Sequence, residues 1–410
     1  MISRRSFLVS SGACALTAWA GLAPARDPFH AVATRLQQFV DDGQLPFASL
    51  RVARQGRVLL EAHASGIEQI GSESIYRIYS MTKPIVAAGI MLLVEDGRLD
   101  LQDPVANHIA EFADMKVVDS SQDGGDVATP MNVSHLLTHA CGLANSWGEG
   151  RVAPLYRDAG LIANAWMYDP EIGGLDGFAR RLGRLPLEFQ PGTNWIYGYG
   201  LDIAGLIIER LSGVRLGDFL AARLFAPLGM TSTGFFVSDG RSTRLTGLYS
   251  PRGGALVPVA SGVERQARVR PFADSGSAGL VSTLGDYGRF ADMLANRGTA
   301  GKVRILGEDS VTTMTTPYGP QAPLADALER FGHHAPGSVA QALGGSVRLA
   351  GGGVPGSVGE YGWGGAAGTG FWALPHSGLS FTLMTQLMPG SVPVREVLRP
   401  LIHAAAAVPA

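Results

Sequence analysis

Eleven consecutive residues without a polar side chain, Pro84 to Val94, follow directly on Ser80-Met81-Thr82-Lys83. The run is too short for a membrane span, which needs about 20 apolar residues, and it stops at Glu95-Asp96-Gly97. It therefore predicts a buried helix from about Ser80 to Asp96. A buried helix demands a sizeable core. The chain can supply one: it has 410 residues, 46% hydrophobic and 17% charged, which also excludes disorder for most of its length.

The formal net charge is -2 and no basic block occurs, so neither nucleic acid nor an anionic membrane surface is the expected partner. The only cysteines are Cys14 and Cys141; they offer no zinc-type spacing, and no HExxH occurs. No metal or cofactor is expected. Residues 1–25 read as a signal peptide of twin-arginine type, with Ser3-Arg4-Arg5-Ser6-Phe7-Leu8, a short apolar stretch and an Ala23-Pro24-Ala25 cleavage site. This predicts a periplasmic or secreted protein with no stable membrane span after cleavage.

Along the chain, Asp27 to Gly43 has helical spacing in Phe29, Val32, Leu36, Phe39 and Val40. Ala48 to Ala64 predicts two strands around a Gln55-Gly56 turn. Residues 117–130 read as a polar loop. Helices are expected at Val133–Thr138 and Leu201–Leu211, and at Thr283–Asn296, where Thr283 and Asp286 suggest a capping box. Gly370–Leu374 and Leu379–Met388 read as paired strands, and Val392–Ala407 as a closing helix. Residues 316–359 give no firm pattern. Strands thus gather near both ends and helices in the middle, which predicts an α/β layer built from both ends with a mainly helical insertion.

Ser80 and Lys83, three apart on a helix, share one face. Ser80 would lie at the helix N-terminus, where free N–H groups favour negative charge. A serine becomes a strong nucleophile only when a base takes its proton. Lys83 is walled by Pro84-Ile85-Val86, which strips hydration from its charged form and suits it to that task. With only three lysines in the chain, about 0.2 such Ser-x-x-Lys pairs are expected by chance. In Pro191-Gly192-Thr193-Asn194-Trp195-Ile196-Tyr197-Gly198-Tyr199, a turn could project a phenol into a cleft as a proton shuttle; two half-buried aromatics are the plainer meaning. In Tyr361-Gly362-Trp363-Gly364-Gly365-Ala366, dense glycines mark close backbone approach, and the Ala366 N–H could pair with that of Ser80 as an oxyanion hole.

Together these blocks resemble the serine β-lactamase and penicillin-binding-protein-like hydrolases, closest to the class C-related branch that includes the family VIII carboxylesterases. The resemblance runs from about residue 30 to 400. It includes Leu136-Leu137-Thr138-His139-Ala140-Cys141-Gly142-Leu143, Phe225-Ala226-Pro227-Leu228-Gly229-Met230 and Gly279-Leu280-Val281-Ser282-Thr283. It implies an α/β (α+β) fold: an antiparallel sheet flanked by helices from residues 26–100 and 275–410, a mainly helical domain at 101–274, and the active site between them. It further implies Ser80 as nucleophile, Lys83 as base and Tyr197 as proton shuttle, with the Ser80 and Ala366 N–H groups as oxyanion hole. Trp363, Gly364, Gly365 and Tyr199 would line the substrate. His139 and Cys141 are expected to be structural.

Two departures from the family pattern set the expected substrate. Tyr199 stands where Asn is usual, and Trp363 where a carboxylate-binding Lys is usual. An indole in place of a cation favours neutral esters with apolar parts over β-lactams. The expected function is a secreted serine hydrolase acting on small ester or amide substrates. Its rivals are a β-lactamase, a D-amino-acid peptidase or amidase, an acyl transferase, and a non-catalytic peptidoglycan- or partner-binding protein. No Gly-x-Ser-x-Gly occurs, so the nucleophile elbow of an α/β-hydrolase is missing.

Overall fold

A computed structural model describes residues 27–408, except 119–125, 149, 260–265, 320, 322–326, 330, 332–333 and 351–352. The signal segment and the centre of the polar loop at 117–130 lie outside the described residues.

The first helix, α1 (His30–Asp41), buries the stripe Val32, Leu36, Phe39 and Val40. Strands β1 (Ala48–Arg54) and β2 (Arg57–Ala64) follow, paired across Gln55-Gly56. Both turn residues have positive φ, 51° and 77°, the geometry that matches the twist of a two-residue hairpin. The other strands of the main sheet come from the far end of the chain: β3 (Val339–Ala342), β4 (Gly345–Arg348), β5 (Tyr361–Gly364), β6 (Gly370–Leu374) and β7 (Leu379–Met384). Their order is β2-β1-β7-β6-β5-β4-β3, every pair antiparallel. The sheet is therefore closed by residues that begin and end the domain, as the strand distribution predicted.

Both faces of the sheet are covered, so β7 is buried at all six positions. On one face, α1 and the closing helix α5 (Val394–Ala407) pack Leu36, Phe39, Leu398 and Ile402 onto Leu50, Trp372 and Phe381. On the other, α4 (Leu284–Ala295) sets Tyr287 and Phe290 against Phe371. The buried Arg51–Asp292 pair, with N–O distances of 3.0 and 2.7 Å, ties β1 to α4.

Between these halves lies a mainly helical stretch around α2 (Thr82–Glu95) and α3 (Gly200–Ser212). Helix α2 is buried from Thr82 to Leu93, the central helix that its apolar run required. Gly89 lets α3 close in: a Cβ there would lie 3.1 Å from both Ile208 and Leu220.

Three expectations are corrected. The strand from Leu379 stops at Met384, before a cis Met388-Pro389 bond, and α5 begins at Val394 rather than Val392. Thr283 does accept from the Asp286 N–H at 3.1 Å, but the Asp286 carboxylate turns to Ser232 and Thr233, so the capping box is half made. The segment 316–359 carries β3 and β4: β3 is buried at all four positions and so shows no period-2 alternation, and β4 alternates in burial over only four residues.

Candidate active site

Ser80 sits in a single 3-10 turn, Tyr79–Met81, that runs straight into α2. Tyr79 holds φ 45°, a left-handed conformation that costs a non-glycine residue free energy and turns the chain sharply before the nucleophile. Three contacts from the sheet half hold this turn. Ile78 N–H donates to Leu280 O at 3.1 Å, Leu280 N–H to Thr82 Oγ1 at 3.1 Å, and Tyr287 Oη–H to Met81 O at 2.8 Å.

Ser80, Lys83 and Tyr197 meet. Tyr197 Oη donates to Ser80 Oγ at 2.6 Å, although 117 residues separate them. Lys83 Nζ donates to Ser80 Oγ at 3.3 Å and to Ser277 O at 2.8 Å, and lies 4.4 Å from the centre of the Tyr197 ring. Lys83 is 2% exposed, so its Nζ does not snorkel to solvent. The chain thus places the amine and the phenol each within hydrogen-bonding distance of the hydroxyl.

The segment bearing Tyr197 is fixed from behind. Trp195 Nε1–H donates to Gln341 Oε1 at 2.8 Å, anchoring it to β3. His139, with φ 56°, lies under the Tyr197 ring at 4.6 Å and accepts from Gly198 N–H at 3.5 Å. Burial first, and the Lys83 charge second, hold its pKa well below the ordinary histidine value, so it is neutral. Cys141 is a fully buried thiol, pushed up to about 12 by burial.

A cavity of about 520 Å³ opens over these groups. Trp363, Gly364, Gly365, Ala366 and Tyr199 all line it. Trp363 lies nearly parallel to Tyr197, with centroids 6.1 Å apart. Gly365 passes close to the nucleophile's turn: a Cβ there would sit 2.5 Å from Ile78 O. The Ser80 and Ala366 segments therefore face one another across the cavity wall. Tyr199 is a different kind of lining residue from the one expected. It is 2% exposed, its hydroxyl donates to Leu161 O at 2.6 Å and bonds Ser146 Oγ at 2.9 Å, and burial pushes its pKa to about 12. It braces the floor of the site.

Other residues of the site were not singled out by sequence. Asp202, fully buried in the first turn of α3, accepts from Ser275 Oγ at 2.6 Å, Ser277 N–H at 3.1 Å and Ser277 Oγ at 2.6 Å. It thereby fixes the Ser277 carbonyl that receives Lys83. Burial pushes the Asp202 pKa up, and the serine hydrogen bonds and Lys83 oppose that shift. A carboxylate inside the apolar stretch Leu201-Asp202-Ile203-Ala204 was the available signal. Phe331, 41% exposed, stacks on Tyr197 at 4.5 Å, and Trp147, 58% exposed, lies 6.1 Å from it. Arg348, Arg395 and Arg399 also line the cavity.

A family model described as Beta-lactamase matches residues 32–406. The chain belongs to the β-lactamase family. Within it, the chain is 30% identical over 370 residues to Protein Rv1367c of Mycobacterium tuberculosis, covering 85% of this chain and 88% of that one. It is 31% identical over 267 residues to Esterase EstB of Burkholderia gladioli, covering 60% and 65%. Among solved structures, EstCE1, a hydrolase with promiscuous acyltransferase activity, superposes with TM-score 0.79 at 22% identity, over 92% of this chain and 98% of that one. This member of the β-lactamase family is a serine hydrolase, and its antiparallel sheet with flanking helices is the family's fold. Among the described residues no helix is long and apolar enough to cross a membrane.

Proposed function

We propose that the chain hydrolyses carboxylic esters with apolar parts, through an acyl-enzyme on Ser80. The observation that carries this reading is the pair of contacts on Ser80 Oγ, 2.6 Å from Tyr197 Oη and 3.3 Å from Lys83 Nζ, inside an aromatic-walled cavity. Lys83 in its amine form takes the Ser80 proton as Oγ attacks the ester carbonyl. The tetrahedral oxyanion is met by the N–H groups of Ser80 and Ala366. As the C–O bond to the alcohol breaks, Tyr197 gives its proton to the alkoxide and is reprotonated from Lys83. Water then attacks the acyl-enzyme, the same groups moving its proton to Ser80 Oγ, and the acid leaves. Trp363, Phe331 and Trp147 supply the apolar walls.

The test is the initial rate on p-nitrophenyl butyrate with mass spectrometry of the protein. Turnover is expected to vanish in Ser80→Ala, with the acyl adduct found on Ser80 of the parent. Lys83→Ala is expected to lose several orders of magnitude, because nucleophile and base act as a unit. Near-normal turnover in Lys83→Ala would sink the mechanism. Faster cleavage of a chromogenic cephalosporin than of the ester would instead identify a β-lactamase.

Acyl transfer is a second reading, favoured by the exposed Trp147 and Phe331 around Tyr197, which could hold an organic acceptor in place of water. More ester or amide product than acid, when an alcohol or amine is added, would establish it. Export through the twin-arginine route completes the proposal; a protein that stays in the cytoplasm after its Arg4-Arg5 pair is changed to Lys-Lys, but is exported otherwise, would support it.

A further inference from the structure

Position 363 carries an indole, yet the wall of the same cavity carries a guanidinium. Arg395, in the first turn of α5, crosses the end of the sheet at Gly364. Gly364 of β5 faces Gly370 of β6 in register. A Cβ on Gly364 would strike Arg395 Nη1, and one on Gly370 would sit 3.0 Å from Arg395 Cδ. This glycine pair forms a trough in which the arginine side chain lies, and the residue lines the cavity that holds Ser80.

Its neighbours do not use up its charge. Glu360, fully buried, accepts from Arg399 Nε at 2.8 Å, meets His403 Nε2 at 2.5 Å and lies 3.5 Å from Arg348 Nε. Among the described residues, Arg395 has no hydrogen bond or ion pair. Glu396, its exposed neighbour, is the remaining carboxylate on this wall. Among the described residues, this wall carries three arginines and two glutamates. The fields of those arginines, added to burial, hold His334 at about 4 and hence neutral at pH 7. A guanidinium half out of water and without a partner is a poor structural element and a good receptor for a planar anion, which it can grip with two parallel N–H bonds.

We propose that Arg395 forms a carboxylate subsite within the catalytic cavity, so that the substrate is an ester with a free carboxylate as well as an apolar part. The charge absent at position 363 is supplied from position 395, and the expectation of a wholly neutral substrate gives way. This rests on the ester-hydrolase reading for the reaction, but not for the binding.

Two pairs of esters test it. One pair has the charge on the acyl side: the mono-4-nitrophenyl ester of pimelic acid against its carboxamide counterpart. The other has it on the leaving group: 4-butyryloxybenzoate against 4-butyryloxybenzamide. In one pair, kcat/KM for the carboxylate is expected to exceed that for the amide about 10- to 100-fold, the range of a charge-assisted hydrogen bond. Arg395→Gln is expected to bring that ratio to about one, and Arg395→Lys to keep part of it. The pair that responds tells which side of the ester carries the charge. Ratios that are the same in the parent and in a folded Arg395→Gln protein, in both pairs, overturn the subsite. Calorimetry on Ser80→Ala with 4-butyryloxybenzoate and 4-butyryloxybenzamide separates binding from chemistry. A carboxylate preference lost on adding Arg395→Gln upholds the subsite even if no ester is turned over. Equal binding of the two compounds, with ratios in the acyl-side pair that Arg395→Gln leaves unchanged, overturns it.

Discussion

Gly365 passes close to the turn that carries Ser80, and Gly365→Ala perturbs that approach without touching any reacting group. The new Cβ would lie 2.5 Å from Ile78 O, a backbone atom that cannot rotate away, and would also strike Thr369 Oγ1. Ordinary contact requires a further half to one ångström, roughly, so β5 and the Ser80 turn must separate by about that much. Ile78 is two residues before Ser80, and Gly365 is directly before Ala366, so the separation falls on the two proposed oxyanion donors. Loss of one such donor costs about 100- to 1000-fold in kcat, and a displacement of about 1 Å of a reacting group costs about 100-fold. The expected result is a fall in kcat on p-nitrophenyl butyrate of about 100-fold, with a much smaller change in KM, and a stability cost of about 1–3 kcal/mol in urea unfolding. Gly71→Ala is the control, since a Cβ there meets nothing within 4 Å. A folded Gly365→Ala protein whose kcat stays within about threefold of the parent would refute both the close approach and the oxyanion assignment.

Tyr197→Phe removes only the hydroxyl and leaves the stacking on Phe331 and His139, so kcat should fall about 100- to 10,000-fold while the melting temperature barely moves; a drop in both would assign Tyr197 to structure. Asp202→Ala strands Ser275 Oγ, Ser277 N–H and Ser277 Oγ in a dry site, and urea unfolding should show a loss of about 3 kcal/mol or more; a loss under about 1 kcal/mol would mean that the serines find other partners. Burial pushes Glu209 from 4.5 to about 7, so folding favours its protonated form: that stabilisation is full below about pH 4.5 and is lost as pH rises through about 7. Glu209→Gln should therefore lose less stability than the parent between about pH 5 and about pH 8, and an equal loss in both proteins would show that Glu209 is not the group responsible. Cys141 should react with a thiol-specific disulfide reagent only at the rate of global unfolding, being buried and held as the thiol; prompt labelling of the native protein would contradict its place in the core.

Local physics made much of this protein legible in its sequence. The run after Lys83 could only be a buried helix, and α2 is one. Gln55-Gly56 could only be a tight turn, and both residues take positive φ. Ser80 and Lys83 share a helix face because three residues make nearly one turn, and that spacing needs no tertiary information. Tertiary structure decided what lies across long sequence distances. It brought Tyr197 rather than Tyr199 to the nucleophile, because the turn alternates the two phenols, one into the cavity and one into the packing around Leu161. It turned an aspartate in an apolar helix into the anchor of the Lys83 acceptor, through Ser277, 75 residues away. It made strands of the stretch at 339–348, where β3 is buried on both faces and so lacks the alternation that marks a half-exposed strand, and β4 alternates over only four residues. Finally, it laid Arg395 across two glycines on neighbouring strands, so a charge missing from the sequence motif stands in the cavity all the same. Patterns of three to eleven residues report local conformation, because backbone geometry fixes their period. The chemistry of a cavity wall depends on which distant segments share it, and only the packed chain determines that.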